Sequence, residues 1–169
     1  MKGNFPGNYW PGARWVDWAG TDFYSEYPAW KDLNRFYLGK QWKGKPMALT
    51  GEKLAADFSV NVTGALLCAQ LAAGAMKQRG RGTILLTGGG FAHEPAANYA
   101  SLSLGKAALR NLTYSLAQEL GAHGIHVATV TVYGFVQSGT HYDPGRIADA
   151  FLRLHKQKPG HFQTELVFK

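Results

Sequence analysis

The sequence is poor in cysteine and in long apolar runs. Its 169 residues include one cysteine, Cys68, so no disulfide can form within the chain. The absence of an internal disulfide suits a reducing cytoplasm. We expect the Cys68 thiol to be buried and inert on an apolar helix face. No run of about 18 apolar residues occurs, and residues 1–6 lack the apolar stretch of a secretory signal. The sequence therefore predicts a cytoplasmic protein without a membrane span.

Acidic residues are also scarce, and the formal net charge is +7. Such a charge can attract nucleic acids or anionic substrates and cofactors. The basic residues are scattered, however, and the tightest group is Arg79-Gly80-Arg81 with Lys77 close by. A nucleic-acid surface needs a basic stripe with interleaved aromatic residues, and none emerges. We expect no nucleic-acid partner, and no metal site is predicted.

Residues 1–45 differ in texture from the rest of the chain. They hold all five tryptophans and 12 of the 22 aromatic residues, but few aliphatic ones. Neither strand alternation nor a helical period persists there. The favoured interpretation is an irregular aromatic extension that packs on the remaining residues, 46–169. The alternatives are an aromatic ligand surface and a segment foreign to the fold (a fusion, deletion or shifted reading frame).

Regular alternation of helices and strands begins near Thr50. Thr50 is a good N-cap for a long helix over residues 52–78, and Asp143-Pro144 is a good start for the last helix. The other elements are strands at 83–87, 125–132 and 162–168 and a helix over 97–120. This order predicts an α/β fold, a parallel sheet with flanking helices. Ligands bind beyond the carboxyl ends of such strands, which points to loops 88–98 and 133–143.

Several segments of residues 46–169 resemble the C-terminal part of the short-chain dehydrogenase/reductase family. The likeness is carried by the following segments: Asp57-Phe58-Ser59-Val60-Asn61-Val62-Thr63-Gly64, Arg81 to Thr87, Ser103-Leu104-Gly105-Lys106-Ala107-Ala108-Leu109, and Gly124 to Val136. They are similar to the family's fourth helix, fifth strand, lysine-bearing helix (Y-x-x-x-K-A-A-L) and sixth strand with its P-G-x-V loop. The resemblance implies a partial Rossmann-like domain in residues 46–169.

The resemblance also implies a chemistry. In this family a tyrosine is the general acid or base toward an alcohol or ketone, and NAD or NADP exchanges a hydride with the substrate. A lysine one helical turn later lowers the pKa of the tyrosine and binds the nicotinamide ribose. A serine after the fifth strand polarises the substrate oxygen, and the asparagine belongs to a proton-relay water chain.

Carried over residue by residue, this machinery is incomplete. Asn61 matches the asparagine and Lys106 matches the lysine. The tyrosine position holds Leu102, and the serine position falls at Gly88 or Gly89. Neither proton transfer nor polarisation by a hydroxyl is possible from these residues.

Other residues could supply the missing groups. Tyr99, seven residues before Lys106, is the preferred replacement acid, so the predicted catalytic residues are Asn61, Lys106 and Tyr99. In the loop after the sixth strand, Tyr133 replaces the family's proline. Tyr133 is a comparable candidate for a role in the site, and His93 and His141 are weaker ones. The predicted cofactor-binding residues are Lys106, Gly134, Val136 and Ser138, with Thr140 as the alternative to Ser138.

The family's phosphate-binding motif T-G-x-x-x-G-x-G is absent, as is its N-N-A-G segment. Gly88 to Gly90 is a poor substitute, because no helix start follows it. Two functions therefore stay open. One is a divergent NAD(P)-dependent oxidoreductase, weakly active or inactive, and the other is a non-catalytic pseudoenzyme or an oligomerising or ligand-binding fragment. The resemblance implies a homo-oligomer that pairs through helices 52–78 and 97–120.

Overall fold

A computed structural model describes the backbone of residues 18–21 and both backbone and side chains of residues 43–169. Its helices and strands, in chain order, are β1 (Trp18–Thr21), α1 (Gly51–Phe58), a π-helical turn (Ser59–Thr63), α2 (Gly64–Arg79), β2 (Gly82–Gly89), α3 (Ala100–Gly121), β3 (Ile125–Val132), α4 (Pro144–His155) and β4 (Glu165–Phe168). Short 3-10 turns at Pro46–Ala48 and Gly90–Ala92 complete the described elements.

The strands form one parallel sheet in the order β1-β2-β3-β4. The central pair is in register over its full length, from Gly82 opposite Ile125 to Gly89 opposite Val132. Every residue of β3 is buried. This pattern is typical of a parallel strand that is covered on both faces. The predicted α/β fold with a parallel sheet is confirmed.

Each face of the sheet packs against helices. On one face, α2 and α3 bury an apolar cluster against β2 and β3, with Met76 and Ile84 among its members. On the other face, α4 buries Ile147, Ala150 and Leu154 against β2, β3 and β4. The three layers hold the carboxyl ends of β2 and β3 at one edge, where the loops after these strands meet.

The helix starts agree with the predicted caps. The Thr50 hydroxyl accepts a hydrogen bond from the Lys53 amide at 3.2 Å. The Asp143 carboxylate accepts one from the Gly145 amide at 2.8 Å, with Pro144 in the first turn. The prediction of one unbroken helix over residues 52–78 is wrong in one respect, because the π-helical turn interrupts it.

The segment Gly51–Arg79 is long and apolar enough to span a membrane, judged by length and composition alone. Its inner side, however, carries Ala65, Ala69, Ala72 and Met76 into the core. A core helix of a soluble protein passes the same criterion, so this finding is weak evidence for a membrane. Cys68 on this helix is half-buried, whereas the sequence predicted a buried thiol. Burial raises the pKa of the Cys68 thiol and so favours its unreactive form.

Part of the predicted irregular extension is regular. Trp18–Thr21 pair in parallel with β2, from Trp18 opposite Thr83 to Thr21 opposite Leu86. Residues 1–17 and 22–42 lie outside the described residues, so the remaining interpretation of the extension is not tested.

Candidate active site

A cleft of about 500 Å³ opens at the carboxyl edge of β2 and β3. This volume is in the range of small-molecule sites. Its walls come from the ends of both strands, the loops that follow them, and the facing sides of α3 and α4. Most of its lining is apolar and includes Phe91, Leu102, Val132, Phe135, Ile147 and Phe151. The cleft therefore lies where the parallel sheet predicts a ligand site.

Lys106 is the buried cation of this cleft. Its side chain is only 8% exposed, and Nζ donates a hydrogen bond to the Thr87 carbonyl at 2.8 Å. The stem lies along Gly89, where an added Cβ would sit 3.5 Å from three of its carbons. A buried ammonium is costly unless its donors find oxygen partners. The end of β2 supplies one, which holds Lys106 at the cleft wall.

Leu102 lies one helical turn before Lys106 and lines the same cleft. Residues four apart share a helix face, so the family's tyrosine position points into the cleft and carries an apolar side chain. The two candidate serine positions differ. A Cβ on Gly88 would come within 2.7 Å of the Thr129 hydroxyl and 2.8 Å of the Thr131 hydroxyl, whereas Gly89 has ordinary contact distances. Only Gly89 has room for a side chain without displacing its neighbours.

Asn61 lies in the π-helical turn and does not line the cleft. Its Nδ2 donates to the Asp57 carbonyl at 3.0 Å, and its side chain packs on Gly105, the residue before Lys106. Nearby, the buried Asp57 carboxylate accepts bonds from Lys53 Nζ and from the Ser101 hydroxyl. This cluster joins α1 to α3. Asn61 thus fastens the π turn beside Lys106, and its predicted catalytic role stays a prediction.

The loop after β3 supplies part of the cleft floor. Of the residues predicted to bind the cofactor, Gly134 and Val136 line the cleft, whereas Ser138 is exposed and lies outside the lining. The alternative, Thr140, donates its hydroxyl proton to the Gln137 carbonyl within the loop. A Cβ on Gly134 would come within 2.0 Å of the Tyr142 ring, so this glycine allows the close approach of that ring.

Tyr99 is the N-cap residue of α3 and lines the cleft. Its ring stacks on Phe91 with centroids 5.5 Å apart. His141 instead lies against Phe168 and Tyr142, each with centroids 5.0 Å from its own, and does not line the cleft. Of the two, only Tyr99 could meet a ligand in the cleft.

Glu165 at the start of β4 is bound by side chains from α3 and β3. It is paired with Arg110 at 2.7 Å, and it accepts hydrogen bonds from Thr131 at 2.6 Å and Tyr114 at 3.0 Å. Burial alone would raise its pKa. The hydrogen bonds from Arg110, Thr131 and Tyr114 outweigh that effect, and the charge of Arg110 adds to them, so the pKa falls to about 2. Glu165 is therefore ionised at neutral pH.

The same carboxylate is connected to Tyr133. His93 Nε2 lies 3.2 Å from Glu165 Oε1, and His93 Nδ1 lies 2.5 Å from the Tyr133 hydroxyl. Tyr133 lines the cleft, while Lys169 Nζ lies 3.9 Å above its ring. The sequence predicted Tyr133 and His93 as candidates for this site but not Glu165. The i, i+4 spacing of Arg110 and Tyr114 is the one signal that could have suggested a shared partner.

No group of three or more metal-ligating side chains occurs within the part of the chain that the structure describes.

Comparisons with known proteins agree with this geometry. A family model described as short chain dehydrogenase matches residues 39–142, which cover the site from α1 through the loop after β3. The chain is 32% identical over 80 residues to a vibriobactin-specific 2,3-dihydro-2,3-dihydroxybenzoate dehydrogenase of Vibrio cholerae. It is 36% identical over 90 residues to short chain aldehyde dehydrogenase 1 of Euphorbia lathyris.

These matches cover 47% and 53% of this chain but only 30% and 31% of the two relatives. Among solved structures, a metagenomic short-chain oxidoreductase in complex with NADP is 27% identical, with a TM-score of 0.65. That alignment covers 75% of this chain and 56% of the other. The chain thus spans about half the length of the solved relative. Because the family model matches more than half of its residues, the chain belongs to the short chain dehydrogenase family.

Proposed function

We propose that this chain is a weakly active NAD(P)-dependent oxidoreductase that acts on an alcohol or ketone. One observation carries the proposal: Lys106 is buried at the cleft wall, one turn after the family's tyrosine position. A surface-solvated lysine would not be held on the Thr87 carbonyl. The NADP complex of the solved relative and the names of the curated dehydrogenases support the same chemistry.

The described residues fit one end of the cofactor. The buried ammonium of Lys106 is a donor suited to ribose hydroxyls, and Gly89 leaves the space beside its stem free of a side chain. Gly134 and Val136 border the same space. When bound, the nicotinamide would supply or accept the hydride. For the diphosphate end, the described residues offer no glycine-rich cradle at a helix start. The preference between NAD and NADP is left open.

A second function is favoured by a specific observation. The family's tyrosine position holds Leu102 and its serine position falls at Gly88 or Gly89, and these residues line the cleft without a hydroxyl. On this account the chain is a pseudoenzyme that retains the cleft as a ligand-binding or oligomerising module. The two proposals differ in whether cofactor binds and turns over.

The deciding experiment is a titration of the purified protein with NADH and NADPH, followed by quenching of tryptophan fluorescence. Saturable quenching at micromolar cofactor, with turnover of small ketones, would support the oxidoreductase. Binding without turnover would favour the pseudoenzyme. No binding up to millimolar cofactor would refute the oxidoreductase for this chain.

A homo-oligomer is part of the proposal. Leu67 and Leu71 on α2 and Leu104 on α3 are each about half exposed. Small neighbours such as Gly74 and Ala107 would let a second copy approach closely. The exposed apolar side chains are of the kind that a subunit interface covers. A cytoplasmic location, in line with the single thiol, is proposed with it.

A further inference from the structure

The cleft retains two phenol groups, Tyr99 and Tyr133, although the usual tyrosine position holds Leu102. They differ in their surroundings. Tyr99 stacks on Phe91, and within the described part of the chain its hydroxyl has no hydrogen-bond partner. The Tyr133 hydroxyl, in contrast, lies 2.5 Å from His93 Nδ1. Only Tyr133 is connected to a side chain that can exchange protons.

The direction of this hydrogen bond follows from Glu165. An ionised carboxylate favours a proton on the nitrogen that faces it, and His93 Nε2 lies 3.2 Å from Glu165 Oε1. In the neutral imidazole the other nitrogen, Nδ1, then has a lone pair. That lone pair faces the Tyr133 hydroxyl, which therefore donates to it. The chain of donors runs from Tyr133 through His93 to Glu165.

Tyr133 and the retained lysine line the same cleft. The Lys106 stem packs on Gly89, and the Tyr133 ring packs on Gly90, where an added Cβ would come within 2.9 Å of Cδ1. Lys106 and Tyr133 thus lie against adjacent residues of one backbone segment, on the wall of one cleft. The Lys169 ammonium, 3.9 Å from the ring centroid, is attracted to the face of Tyr133 and restrains its orientation.

We propose that Tyr133 is the proton-transferring residue of this cleft, coupled through His93 to Glu165, in place of the family's missing tyrosine. The inference rests on the proposed oxidoreductase function. In alcohol oxidation, the substrate hydroxyl gives its proton to the Tyr133 oxygen as Tyr133 gives its own proton to His93 Nδ1. A bound nicotinamide would accept the hydride as the carbinol C–H bond breaks and the carbonyl forms. Ketone reduction is the reverse. His93 and Glu165 are positioning residues, and Glu165 stabilises the imidazolium.

The first test reads the histidine directly, without cofactor. Long-range proton–nitrogen NMR of protein labelled at histidine should show His93 as the Nε2–H tautomer at neutral pH. The Nδ1 resonance should move in Tyr133→Phe, where its donor is lost, and stay in place in Tyr142→Phe. An Nδ1–H tautomer of His93 would overturn the relay, whatever the activity.

The second test uses turnover. Tyr133→Phe should lower kcat by roughly 100-fold, the usual size of general acid–base catalysis, with cofactor affinity and Tm unchanged. His93→Asn should also lower kcat, whereas the control His123→Asn, in an exposed turn, should leave kcat unchanged. Normal kcat in Tyr133→Phe with loss of kcat in Tyr99→Phe would overturn the proposal in favour of Tyr99. Failure of the proposed function would differ: wild-type protein would then show neither quenching nor turnover, and the catalytic role of Tyr133 would fall with it.

Discussion

Leu102 and Lys106 face the same cleft from successive turns of α3, so the retained lysine has an aliphatic neighbour where its family partner is a phenol. The ammonium is held by the Thr87 carbonyl at the end of β2. Lys106 therefore does not depend on a tyrosine for its position. The backbone at the end of β2 contributes to holding this lysine at the cleft wall.

Restoring the missing hydroxyls should raise activity. Leu102→Tyr combined with Gly89→Ser places both groups on the cleft wall, since Gly89 has space for a Cβ. We expect NAD(P)-dependent turnover of a ketone to increase by roughly 100-fold, the usual contribution of a positioned acid. Steady-state kinetics would measure it. Leu152→Tyr, the same change at an exposed site of α4 outside the cleft, is the matched control and should change nothing. An unchanged rate in the double variant would argue for a pseudoenzyme.

Lys106→Met should weaken cofactor binding. Methionine keeps an unbranched stem against Gly89 but removes the ammonium that would bind the ribose. We expect the Kd for NADH or NADPH to rise roughly tenfold, the cost of about one hydrogen bond to a charged donor. Fluorescence titration provides the value. Lys158→Met, in an exposed turn, should bind as the wild type does. Equal affinity in both variants would exclude Lys106 from the cofactor site.

Glu165 should make stability depend on pH. Its pKa is lowered from 4.5 to about 2 in the folded protein, so its contribution is fully present above about pH 4.5 and is lost as the pH falls toward 2. A shift of this size corresponds to about 3 kcal/mol. Urea unfolding should therefore show Glu165→Gln less stable than the wild type by about that amount at pH 7. The difference should shrink between pH 4.5 and pH 3.

The matched control is Glu119→Gln. Glu119 is 66% exposed, and its ion pair with Lys77 is long, at 3.4 Å. Exposed pairs contribute little, so this variant should follow the wild type at every pH. A gap between wild type and Glu165→Gln that did not vary with pH would show that packing, not ionisation, sets the contribution of Glu165.

Leu71→Glu should dissociate the proposed homo-oligomer. Leu71 is 52% exposed on α2, and a carboxylate there would be costly to bury between two copies. Light scattering after size-exclusion chromatography should show a lower mass with an unchanged circular dichroism spectrum. Leu152→Glu, at a 45% exposed leucine of α4, should leave the mass unchanged. A monomeric wild type would contradict the prediction at the outset.

The sequence predicted best what depends on local patterns. The strand Ile125–Val132 was predicted with its observed bounds, because a continuous run of apolar and β-branched residues is visible in the sequence. The Asp143 cap was predicted because it too is a local feature: the amide that it accepts from belongs to Gly145, two residues away. Lys106 followed from a resemblance of its neighbours.

What the sequence did not predict depends on contacts between distant segments. His93 and Tyr133 are 40 residues apart, in different loops, and nothing local indicates their hydrogen bond. Glu165 belongs to a short strand, and its carboxylate binds side chains on β3 and α3 that are far away in the sequence. Sequence reasoning preferred Tyr99 because its spacing from Lys106 could be counted. The structure adds the hydrogen-bond partners and ring contacts of Tyr99 and Tyr133, which residue spacing cannot give.

The π-helical turn Ser59–Thr63 has a consequence for alignment and for engineering. A turn that is wider than its neighbours holds one residue more than an α-helical turn, and it absorbs that residue without rotating α1 relative to α2. Deleting a single residue within 59–63 would convert the turn to regular α-helix. Asp57 and the rest of α1 would then keep nearly the same angular position relative to α2, whereas a deletion elsewhere in the helix would rotate them by about 100°, one residue's share of a helical turn. A relative without this turn should align with a one-residue gap at this point, and a deletion there would be better tolerated than elsewhere in the helix.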